Sequence, residues 1–339
     1  MATNEYVQKF GYRKYKGGKE SRSKRVWSLV WFELVSTWHK STVGKVLLII
    51  ILALNLLVIT ITAVIFSADI NGMTDAEQAE EIAGILHGMV GTYLTPAIFE
   101  DHDVTPTSNN AFSFEIGFLI IGLFAIAGSG FFADDRQGKV IEIYLSRMQR
   151  WEYAAGKVGA IILYVNIFLT LPLLIMGGLY IQAFGADHLD YIYFYAGTIL
   201  YGLLASLLLG LAILVLSSVV EKRMYASLSF YLLFVLGSLF GALITDLDTS
   251  NEFLLLLSPS TFLELLAYVC LGDFELYFAT WIGEDPTTEE DLYRYTAFSL
   301  RDGAGLEYYH ILGVTFGLAI VMFLFLIYRL RRLTTEALT

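Results

Sequence analysis

The chain has 339 residues, 56% hydrophobic and only 16% charged, with a mean hydropathy of +0.61 and a formal net charge of −11. A soluble domain of this length is nearer half apolar and spreads its charges evenly, so an ordinary water-soluble fold is excluded. A single cysteine, Cys270, excludes an intrachain disulfide framework and argues against a zinc-finger-like site.

Residues 1–25, MATNEYVQKFGYRKYKGGKESRSKR, are basic and show no apolar period. They are expected to form a cytoplasmic tail drawn to anionic lipid; nothing elsewhere resembles a nucleic-acid-binding module, so no nucleic-acid partner is expected. Over 26–45 the pattern changes. Trp27, Val30, Trp31, Leu34, Val35 and Trp38 recur at helical spacing, while Lys24, Arg25, Glu33, His39 and Lys40 face elsewhere. That spacing predicts an amphipathic interfacial helix whose tryptophans suit the headgroup boundary.

Six apolar runs follow, at 46–68, 111–133, 158–183, 193–219, 226–245 and 310–328. Each reaches or approaches the ~20 residues that cross a bilayer as a helix. Spanning segments must satisfy every backbone polar group internally, which leaves helices or closed barrels, and these runs lack the alternation of barrel strands. The expected fold class is therefore an all-α integral membrane protein with six transmembrane helices. The first run is too long and too far from the start for a secretory signal, and is expected to stay as an anchor.

Charge fixes the expected orientation. Ten of the 22 Lys/Arg precede the first run, five lie in 134–157, two at Lys222 and Arg223, and three at Arg329, Arg331 and Arg332. Loops 69–110, 184–192 and 246–309 instead hold 23 of the 33 acids and only Arg294 and Arg301. Under the positive-inside rule both termini are cytoplasmic and the chain is multi-pass in the cytoplasmic membrane.

The outer loops offer little chemistry. Ile82, Ile85, Leu86 and Met89 suggest a short surface helix, while EDHDV (100–104) and HGM (87–89) lack ligand spacing and read as solvated surface, so no metal site is expected. Within 246–309 the apolar stretch is interrupted by Pro259, Glu264, Asp273 and Glu275. A seventh crossing there would put the basic C-terminus outside, so a large outer re-entrant region is expected before the last span. DLDTSNE (246–252) begins like a calcium loop but lacks its glycine and has Leu257 where the closing glutamate belongs.

Catalysis finds no foothold. Glu115 is the one acid within the runs and lies near the outer interface, and Asn55 and Asn166 suit interhelical hydrogen bonds. No His-Glu-x-x-His or Gly-x-Ser-x-Gly occurs. The three Gly-Lys pairs, in HKSTVGKV, ADDRQGKV and WEYAAGKV, all fail the phosphate-loop spacing, and GSGFFA (128–133) follows no strand. The chain is expected to be no enzyme and to hold no cofactor.

One loop is different. Residues 134–157, DDRQGKVIEIYLSRMQRWEYAAGK, carry five bases and four acids between two apolar runs. Val140, Ile141, Tyr144, Leu145 and Met148 fall on one face of a helix, Lys139, Glu142, Ser146 and Gln149 on the other, with a break near Ser146-Arg147. A short amphipathic cytoplasmic helix is predicted, suited either to lying at the membrane interface or to filling a groove on a soluble partner.

This loop resembles the first cytoplasmic loop of type-2 ABC exporter permeases. An acid, a glycine, an apolar stretch ending in Leu-Ser, a basic turn and Gly-Lys stand here as Asp135, Gly138, Leu145-Ser146, Arg150 and Gly156-Lys157, with Glu152 and Tyr153 also matching. Met148 stands where the family often has proline. EKRMYASLSFYLLF (221–234) and LLLLSPSTFLELL (254–266) resemble its second cytoplasmic turn and its outer segment, and the preceding interfacial helix resembles its elbow helix. The resemblance implies that Asp135, Gly138, Glu142, Tyr144, Ser146, Arg147, Arg150, Glu152, Gly156 and Lys157 form the loop on which a separate cytoplasmic ATPase subunit presses. ATP and Mg would then sit on that partner. It also implies pairing with a second permease copy or paralogue, surrounded by membrane lipids. A translocation path would run between the two halves along the second and fifth spans, with Gly117, Phe118, Gly122, Phe124, Phe230, Phe234, Gly237 and Gly241 as candidate lining. The leading alternative is an ATP-independent structural or assembly protein whose basic loops bind lipid or a scaffold.

Overall fold

The computed structural model describes residues 21–40, 109–138, 140–183, 188–189, 191–220, 222–246, 256–271 and 308–336, with isolated helical positions between 42 and 60. Nearly all of these are helical. In chain order the helices are α1 (Arg22–Lys40), α2 (Asn109–Gln137), α3 (Val140–Arg147), α4 (Arg150–Phe168), α5 (Thr170–Ala183), α6 (Ile192–Val219), α7 (Arg223–Asp246), α8 (Pro259–Leu271) and α9 (Tyr308–Glu336). Most of the expected first span, the expected surface helix and metal candidates in 69–108, and residues 272–307 lie outside the described residues.

Among the described residues, four stretches are long and apolar enough to cross a membrane: Arg150–Gln182, Ile192–Val219, Arg223–Phe240 and Tyr309–Arg332. Helix α2, of 29 residues, covers the expected second run. The helix that carries the third run begins eight residues before it. Helix α4 opens at Arg150, where the Glu152 carboxylate accepts the Gln149 backbone N–H at 3.0 Å and caps the first turn. The helix is interrupted at Leu169 and resumes as α5, whose Pro172 has no N–H to donate to the carbonyl four residues back. Its 33 residues extend roughly 50 Å, against a hydrocarbon core of about 30 Å. About a dozen residues must therefore stand outside the core, and the charges of Arg150, Glu152 and Lys157 select the α4 end.

Helix α6 is the hub, packing against α2, α4, α5, α7, α8 and α9. Small residues permit close approach: a Cβ at Gly128 of α2 would lie 2.7 Å from Ile213 and 2.8 Å from Ile161. Helix α8 buries Phe262, Leu263, Leu265 and Leu266 and contacts α6, α7 and α9. At 13 residues, about 20 Å, it is too short to cross a bilayer. Helices α7 and α9 leave most of their surface open, including Leu232, Leu233 and Leu236 on one and Ile320, Val321 and Leu324 on the other.

Candidate functional site: the charged segment between two long helices

Helix α2 ends in Asp134, Asp135, Arg136 and Gln137, and the Gly138 N–H donates to the Asp134 carbonyl at 2.9 Å to close the turn into α3. Helix α3 ends at Arg147, and Met148 and Gln149 form the break before α4. The apolar face of α3 is turned inward. Ile141 is buried, Tyr144 packs on Tyr153 with ring centroids 5.6 Å apart, and Leu145 and Met148 lie against the core. The chain's own bundle thus occupies the face expected to fill a partner's groove. The outward surface carries Ile143 (58% exposed), Arg147, Arg150 and Trp151. The side chains of Glu142 and Ser146 lie outside the described residues.

Behind α3 lies an ion cluster. The Lys157 ammonium, fully buried, sits 2.7 Å from the Glu33 carboxylate of α1 and 2.6 Å from the Asp135 carboxylate of α2. The Tyr153 hydroxyl donates to the same Asp135 oxygen at 2.6 Å, and the Tyr153 and Tyr144 rings stand 5.4 and 6.0 Å from the ammonium. Alongside, the buried Glu152 carboxylate meets Arg25 at 3.3 Å and Arg22 at 3.8 Å. Burying a charge is costly unless it is paired and hydrogen-bonded, and here three bases oppose three acids. Burial raises the Glu33 carboxyl above its ordinary value of 4.5; Lys157 opposes that rise and Asp135 adds to it.

These pairs seat α1 along α4. Arg25 meets Glu152, Leu29 lies over Gly156, Glu33 meets Lys157, and the Trp38 ring is 6.2 Å from Phe168. Both residue numbers rise together, so the helices run parallel for about 20 Å. A Cβ at Gly156 would sit 2.6 Å from the Leu29 side chain, which is why the notch needs glycine. The inward face of α1 is Leu29, Val30 and Glu33, whereas Trp27, Trp31 and Phe32 are exposed. The grouping expected from hydropathy, with Glu33 opposite Val30 and the tryptophans, is corrected here: Lys157 draws the carboxylate inside. The helix also begins at Arg22, four residues before the expected start.

Basic residues from three segments meet at one end of the bundle. Arg136 donates to the Ser218 and Val219 carbonyls at 3.0 and 3.3 Å, and Arg329 donates to the Ser218 carbonyl at 3.4 Å. Cations at the C-terminal carbonyls of α6 complement its dipole. Arg223 donates to the Ile126 carbonyl at 2.9 Å and lies 3.8 Å from Asp134.

The candidate path residues are distributed unevenly. Phe124, Phe230 and Phe234 are buried inside this one chain, where α2 packs on α7. A Cβ at Gly122 would lie 3.7 Å from Tyr231, and one at Gly237 would lie 2.5 Å from Pro259. The surroundings of Gly117, Phe118 and Gly241 lie outside the described residues. Between α4 and α6, Asn166 donates to the Ser206 hydroxyl at 2.9 Å and accepts from Thr170, an interhelical polar contact of the kind its position suggested. Glu33, Arg25 and Arg22 were not legible as site residues, because their partners lie more than a hundred positions away. The only signal was a pair of buried-helix charges, Glu152 and Lys157, that had to find counter-ions. Comparisons with protein-family models, with curated proteins and with solved structures give no match.

Proposed function

We propose that this chain is the membrane subunit of an ATP-driven exporter of the type-2 ABC class, working with a separate cytoplasmic ATPase. In this reading the bundle has six spans, α1 is the elbow helix, and α8 belongs to an outer re-entrant region. Two permease halves assemble around the path. ATP and Mg belong to the partner, and the cargo crosses the cytoplasmic membrane without chemical change.

The observation that carries the reading is α3, a short charged helix tied at both ends to long apolar helices. Hydrolysis elsewhere can move a membrane bundle only through a stiff element joined to it. Ile143, Arg147, Arg150 and Trp151 supply an outward surface of mixed apolar and basic character, suited to an acidic groove. The test is co-purification of the tagged chain in mild detergent, with bound proteins identified by mass spectrometry. An ATPase bearing a phosphate-binding loop, lost on R147E/R150E, supports the reading. Recovery with lipid alone, under conditions that retain known complexes, favours the structural or assembly alternative.

A further inference from the structure

We propose that Lys157 makes α1 part of the moving element: α1, the end of α2 and the start of α4 form one rigid body, so load on α3 carries α1 with it. The rigid body stands on the geometry alone; the source of the load rests on the exporter reading.

A push on an eight-residue helix would ordinarily bend the short turns that flank it. Here those turns are bridged. Lys157, in α4, holds Asp135 near the end of α2 at 2.6 Å, and Tyr153 of α4 donates to the same carboxylate. The α2 and α4 ends are thereby fixed to each other across α3. The same ammonium holds Glu33 of α1 at 2.7 Å. With Lys157 fully buried, drawing α4 away strips both carboxylates of their base, and drawing α1 or the end of α2 away leaves the ammonium one carboxylate instead of two, so separation is opposed more strongly than movement together. The second pair, Arg25 with Glu152, repeats the tie about two turns nearer the start of α1. Apolar packing of Leu29 against Gly156 would hold α1 as firmly but could slide; buried ionic partners fix axial register, as polar core residues do in coiled coils.

The full-length chain in lipid nanodiscs tests this by hydrogen exchange over 22–40 and 150–160. In E33Q, which frees α1 and keeps the Lys157–Asp135 pair, exchange over 22–40 rises about tenfold while 150–160 stays protected. In K157M both segments lose protection together. Y153F, which removes one hydroxyl, gives a smaller rise and covers the case in which K157M does not fold. Unchanged exchange over 22–40 in E33Q, in a chain of unaltered helical content, would overturn the rigid body. With the ATPase bound, E33Q lowers kcat for ATP hydrolysis several-fold at unchanged KM and unchanged retention of the ATPase. An unchanged kcat would overturn the shared load. If wild type retains no ATPase, the exporter reading fails and the load with it, while the exchange data still decide whether the rigid body exists.

Discussion

Lys157 is the residue on which the packing of α1, α2 and α4 against one another turns. Its ammonium is fully buried between two carboxylates, and removing it leaves Glu33 and Asp135 facing each other without a counter-charge. Breaking a buried pair by deleting one partner costs about 3–5 kcal/mol, so K157M should melt well below wild type by a thermal-unfolding assay in detergent. The pH response of Glu33 has a definite sign. Its carboxyl is raised above 4.5 in the fold, so between 4.5 and the raised value the folded chain binds more protons than the unfolded one. The contribution of this group to stability therefore grows as pH falls through that window and is lost as pH rises above it. Melting temperatures measured across the acidic range should show that slope in wild type and a flatter one in E33Q. Neither effect was legible beforehand. Glu33 and Lys157 are 124 positions apart, and no local spacing joins them.

At the scale of elements, glycines divide into those that seat a neighbour and those that do not. A side chain at Gly156 collides with Leu29, so G156V should cost about 1–3 kcal/mol and loosen α1, read by exchange over 22–40. On α9, a Cβ at Gly313 or Gly317 meets nothing within 4 Å. Alanine is the better helix former, so G317A should be neutral or stabilise by up to about 1 kcal/mol in thermal melts. Periodicity made the short α3 legible, because a 3.6-residue pattern needs no knowledge of partners, but the break expected at Ser146-Arg147 falls two residues later, at Met148 and Gln149. It gave no helix start at Arg150, eight residues before the apolar run, since Glu152 and Lys157 look unfit for an enclosed helix until their counter-ions are known. It also set Glu33 apart from Val30 on α1, because hydropathy separates an acid from a valine, whereas pairing with Lys157 buries both on one side.

At the scale of the molecule, the four stretches among the described residues that are long and apolar enough to cross a bilayer predict that the chain remains in the membrane pellet after alkaline carbonate extraction. Recovery in the supernatant would contradict that. The long apolar runs were plain in composition, because lipid imposes one requirement along some 20 consecutive residues. The convergence of Arg136, Arg223 and Arg329 at one end of the bundle was foreshadowed by their placement in alternate loops. The parallel docking of α1 on α4 has a consequence for biosynthesis. Glu33 leaves the ribosome long before its base: at about 5–20 residues per second, the 124 intervening positions take about 6–25 s. Throughout that interval α1 carries an acid with no Lys157 to receive it, while Trp27, Trp31 and Phe32 give it a face suited to the membrane surface. The earliest of the described helices to be synthesised is thus seated only after α4 has been inserted, and any truncated product that stops short of residue 157 carries α1 without its berth.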